Sequence, residues 1–120
     1  MEANFKIKNI VEIAFKDKHI DLHNNFDLVG FNYELDSRLL TIEFKKSKGD
    51  WVPDSEFEKL LFTHHNVFFL NIGYDNETYE FPNDDKCIAG ISFVNSSERE
   101  IDNEFSLQSD PLAEGDILFF

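Results

Sequence analysis

The hydrophobic positions of this chain recur with a period of two. Residues 5 to 15, FKIKNIVEIAF, open with Phe5 and Ile7 alternating with Lys6 and Lys8, then resume as Val11, Ile13 and Phe15 around Glu12. Successive strand side chains point to opposite faces, so the segment predicts a strand whose face slips near Asn9 and Ile10, as at a bulge. The clearest unit spans residues 20 to 35 and 39 to 45. There the run FDLVGFNYEL, the polar turn Asp36-Ser37-Arg38 and LLTIEFK, with Leu40, Ile42 and Phe44 set against Thr41 and Glu43, predict a β-hairpin.

Further along, Lys46 to Asp50 reads as a loop that Pro53 ends or extends. The spacing of Ser55 and Glu58 suits a helix start, but the Phe-rich run KLLFTHHNVFFLNIG that follows favours strands separated by a bend at His64, His65 and Asn66. Gly73 to Glu77 is a turn region, TYEF a short strand stopped by Pro82, and CIAGISFVN a strong strand in which Gly90 marks a bulge or a close backbone approach. DPLAEGDILFF ends in an apolar strand after a turn where Gly115 is expected at positive φ, with Asp116 closing it. Turn signals recur about every ten residues and no helical period outlasts a turn or two. The expected fold is mainly β, an antiparallel two-sheet sandwich or small barrel with at most one short helix. Its core is expected to hold Phe15, Val29, Phe31, Leu40, Ile42, Phe44, Leu61, Phe69, Ile88, Ile91 and Phe93.

A chain of 120 residues is expected to form one domain over residues 1 to 120, and its 14 Phe supply a large aromatic core. The lone cysteine, Cys87, begins an apolar stretch and reads as an inert core thiol, which fits a reducing compartment. Glu2, Lys6, Lys8 and Glu12 interrupt the apolar residues of the amino terminus, and no apolar run approaches the roughly 18 residues of a membrane span. A cytoplasmic protein is expected, so the acceptor-like triplets at Asn76 and Asn95 read as chance matches to a glycosylation signal.

Charge narrows the partner. The net charge is −13, divided unevenly: residues 1 to 60 carry twelve acidic and nine basic side chains, whereas residues 61 to 120 carry twelve acidic ones against Lys86 and Arg99 alone. Affinity for phosphates comes mostly from clustered Lys and Arg, so nucleic acid is disfavoured and a basic protein partner favoured. The stretch YDNETYEFPNDD interleaves Tyr74, Tyr79 and Phe81 with Asp75, Glu77, Glu80, Asp84 and Asp85. Aromatic anchors among carboxylates suit a partner presenting Lys and Arg, because the rings supply desolvated contact while the charges steer encounter. Glu98, Glu100, Asp102 and Glu104 are candidate neighbours. An ordinary hairpin with Phe81 buried and the acids solvated would produce the same pattern.

One segment invites a metal. In KDKHIDLHN, Asp17, His19, Asp21 and His23 fall on every second position. Ligands at i, i+2 and i+4 of a strand spread over about 13 Å, so two at most could share an ion without help from His64 or His65. A half-exposed strand with Ile20 and Leu22 inward explains the spacing without an ion, after a tight turn near Asp17 and Lys18. No nucleophile elbow, phosphate-cradling glycine loop, His-Glu-x-x-His helix or paired-cysteine motif is present, and neither a cofactor nor a catalytic residue is expected. The competing readings are a small β ligand-binding or scaffold domain and a metal-dependent hydrolase using those His and Asp side chains.

The order from His23 through FDLVGFNYELDSRLLTIEFKK, then FEKLLFTHHNVFFLNIG, then CIAGISFV, resembles in its hydrophobic spacing the small β-rich proteins of bacterial polymorphic-toxin immunity families. The likeness covers residues 19 to 94, with Asn24 after His23 where that pattern usually has Asp. It implies a non-enzymatic inhibitor that occludes a toxin, and it carries over no functional residue.

Overall fold

A computed structural model gives the fold and describes residues 1 to 71, 87, 88, 90 to 100, 106 to 113 and 115 to 120. The chain is mainly β, and among the described residues its strands lie in three small antiparallel sheets. Two compact units divide it: Met1–Asn25 with Ile88–Phe120, and Phe26–Cys87.

In the first unit, β1 (Lys6–Ile7), β2 (Glu12–Phe15) and β3 (Lys18–Asp21) form a meander. Its register sets Ile7 opposite Ile13 and Ile13 opposite Ile20, and this cross-strand row is buried. The slip of face near Asn9 is a full turn between two strands. Asn9 Oδ1 accepts the backbone N–H groups of Val11 at 3.0 Å and Glu12 at 2.9 Å, the local capture that makes Asn a turn residue. Lys16 and Asp17, with φ of 48° and 63°, are the two central residues between Phe15 and Lys18, one position earlier than the pattern implied. Two successive positive φ values give a type I′ turn, whose twist matches that of the strands it joins.

After β3 comes a single helical turn, α1 (Leu22–Asn25). Beyond residue 87, the second sheet pairs β7 (Ile91–Asn95) with β8 (Gly115–Phe119), and a 3-10 turn, Ser96–Glu100, follows β7. Ile91 to Val94 are buried without alternation, so β7 is covered on both faces. Phe5 stacks on Phe93 with ring centroids 6.0 Å apart. The buried hydroxyl of Ser92 accepts the Gln108 N–H at 2.7 Å and can donate to the Phe93 carbonyl at 2.9 Å, so its burial leaves no orphaned polar group. Gly90 is a close backbone approach: a Cβ there would overlap Ile10 Cγ2 and lie 2.7 Å from Phe120 Cζ and 2.9 Å from the Ile10 carbonyl oxygen. Gly115, by contrast, does not take the expected positive φ. It opens β8, where a Cβ would lie 2.8 Å from Leu112 Cβ, so space rather than conformation requires glycine.

The second unit is built on β4 (Phe26–Glu34), β5 (Leu39–Lys46) and β6 (Lys59–His64), again a meander. The predicted hairpin is β4–β5, closed by residues 35 to 38 and broken by one register shift between Leu28 and Gly30. Leu40, Ile42 and Phe44 share a face with Leu60 and Phe62, and the fully buried Phe44 ring meets Phe62 edge-on at 5.6 Å. Four expected core residues are exposed. Val29 sits at the register shift, Leu61 faces away with its partner Glu43, and Phe31 lies on the outer strand β4 at 53% exposure. The fourth, Phe69, belongs to a segment that forms no strand, because Asn66 at φ 57° turns the chain out of β6. Val67 then donates its N–H to the Arg38 carbonyl at 2.9 Å and accepts the Tyr33 hydroxyl at 2.9 Å.

Candidate functional site

The alternating His and Asp residues do not form one row. Ile20 and Leu22 are wholly buried, as alternation requires, but the strand ends at Asp21. Asp21 caps α1: Oδ1 accepts the Asn24 N–H at 2.9 Å and Oδ2 accepts the Asn24 side-chain amide at 2.8 Å. The helical turn removes His23 from the strand face and brings its Nδ1 within 2.8 Å of the Ile88 carbonyl. A carbonyl only accepts, so His23 Nδ1 carries a proton. His19 Nδ1 lies 2.5 Å from Glu12 Oε1 across the β2–β3 pair. Each of the three side chains therefore serves a different local structural role, and among the described residues no three His, Cys, Asp or Glu converge to hold an ion.

His64 and His65 sit at the end of β6 and the start of the bend. His64 shares the face of Leu40 and Phe62, is half-buried, and is held below the ordinary imidazole value by desolvation and then by the neighbouring His65. His65 is exposed.

The acidic aromatic stretch from Tyr74 through Asp85 lies outside the described residues, as do Asp102, Glu104 and the side chain of Glu100. Glu98 is described. Its Oε2 accepts the Ser106 N–H at 3.0 Å, and next to it Arg99 makes a two-pronged pair with Asp116, both N···O distances being 2.6 Å.

What is exposed is as informative as what is buried. Leading into that acidic stretch, Phe68, Phe69 and Leu70 are 76%, 46% and 40% exposed, with the Arg38 guanidinium 4.8 Å from the Phe68 ring centre. In the first unit the outward face of β1–β3 bears lysines over a hollow of about 470 Å³. Alternation sets Lys6 and Lys8 on the polar face, and the cross-strand register aligns Lys6 with Ala14 and His19 there.

No known protein family matches this chain, and no curated protein or solved structure matches it. No helix among the described residues is long and apolar enough to cross a membrane.

Proposed function

We propose that the chain is a non-enzymatic acidic domain that binds a basic protein, a toxin or other enzyme, and keeps it inactive, in the manner of the immunity proteins it resembles. The observation that carries this reading is the exposed Phe68-Phe69-Leu70 segment, which precedes YDNETYEFPNDD by three residues. Contiguous exposed aromatic residues are the composition of a protein-binding surface, and carboxylates close to them in sequence would steer the encounter. The charge split supports the same direction, because all but two of the basic residues fall in the first sixty positions. Solubility alone would not require the excess acid to gather in the second half.

The reading is tested on the captured partner. Replacing Phe68 or Phe69 with Ser should cost folding about 1 kcal/mol or less, since Phe68 is mostly and Phe69 about half exposed, while speeding dissociation at least tenfold. Unchanged dissociation in both variants would refute the segment's role.

A further inference from the structure

We infer that the outward face of the β1–β3 sheet is a binding site for a small phosphate-type oxyanion. The face has a small residue at its centre: Ala14 pairs with Lys6 on one side and His19 on the other, so the long flanking side chains stand around a depression. Lys6, Lys8 and Lys16 all border the resulting open hollow of about 470 Å³. Among the described residues none of these three ammonium groups enters an ion pair, and the Lys16 ammonium stands 5.2 Å over the Phe15 ring centre. Asp17 lines the rim, and Glu12 is engaged by His19.

Against the chain as a whole the concentration of positive charge is local. Residues 1 to 19 hold four lysines and three acidic residues in a protein of net charge −13. Lysine is a compact point charge with three donors, suited to phosphate oxygens from several directions, and Asn4 adds an amide donor at the edge. The hollow lies wholly within residues 3 to 19, apart in sequence from the proposed partner surface. It can therefore fail or stand independently of that reading.

The test is a titration of the full chain with pyrophosphate at constant ionic strength, followed by amide chemical shifts, with inorganic phosphate and an acidic peptide in parallel. Saturable shifts confined to residues 4 to 19 and reached below about 10 mM pyrophosphate are expected, with inorganic phosphate acting on the same amides more weakly. The triple variant Lys6→Gln/Lys8→Gln/Lys16→Gln should fold, as its spectrum will report, and bind at least tenfold more weakly. Lys45→Gln/Lys48→Gln should bind as the parent does. Absence of saturation, equal loss in both variants, or saturation by the acidic peptide alone would overturn the assignment.

Discussion

Lys16 and Asp17 hold the left-handed conformation without the glycine or asparagine that usually accepts it. Asp17→Gly should therefore stabilise the chain by about 0.5 kcal/mol, because the turn already demands a φ that glycine adopts without strain, and a urea midpoint shifted upward at unchanged slope would show it. Gly90 behaves in the opposite way. Any Cβ there meets the Ile10 carbonyl as well as two side chains, and backbone cannot swing aside, so Gly90→Ala should cost about 1 to 3 kcal/mol in the same measurement. At His64, desolvation holds the folded imidazole below its ordinary value of 6.5, so the unfolded chain takes up a proton that the folded chain resists. Its contribution to stability is full above pH 6.5 and declines as pH falls through that value toward the lower folded one. In His64→Gln the decline of stability between pH 6.5 and the folded value should be shallower than in the parent, by at most about 1.4 kcal/mol per pH unit; identical slopes would exclude the effect. Gly90 was legible in the sequence as a close approach, whereas the I′ turn was displaced by one residue because Lys-Asp carries no strong turn signature.

Among the elements, the β4–β5–β6 meander separates residues by face, and that separation decides which substitutions matter. Phe44, fully buried against Phe62, should cost about 3 to 5 kcal/mol when replaced by Ala, while Phe31, half exposed on the outer strand, should cost about 1 kcal/mol or less. Equal losses in chemical denaturation would show that the face assignment is wrong. Alternation predicted both rings as core, since period two reports the face of a strand and is silent on whether that face is covered at its margin. The same limit explains KDKHIDLHN. Its inward Ile20 and Leu22 could be read from the pattern, but the exit of the chain into a helical turn could not, because one turn is too short for a helical period and its only local signal is Asp21 three residues before Asn24. The segment Val67–Asn71 carries strand-forming residues and yet makes no ladder, its backbone instead bonding to Arg38 and the Tyr33 side chain near the hairpin tip.

At the scale of the whole molecule the governing quantity is charge. A net of −13, concentrated after residue 60, sets up a field that attracts basic proteins and repels anions generally, which makes the lysine-lined hollow of β1–β3 a local exception. Composition marks the acidic stretch as a candidate for partner binding, but whether a surface binds depends on which side chains share a patch, and linear order does not determine that. A charge-steered association of the proposed kind would respond to salt, since attraction acting over a Debye length of about 10 Å at 0.1 M is confined to about 3 Å at 1 M. Reversing Asp75, Glu77 and Glu80 to Lys should slow association without unfolding the domain, and removing the Tyr74 or Tyr79 ring should mainly speed dissociation. The most direct measurement is quantitative capture from native lysate on the immobilised chain, at low and at high salt, with the parent and the charge-reversed triple variant side by side. The proposed function predicts one basic protein retained in near-stoichiometric amount by the parent at low salt, released at high salt and not retained by the variant. A partner held equally across the salt range and by both chains, or no specific partner at low salt, would contradict it.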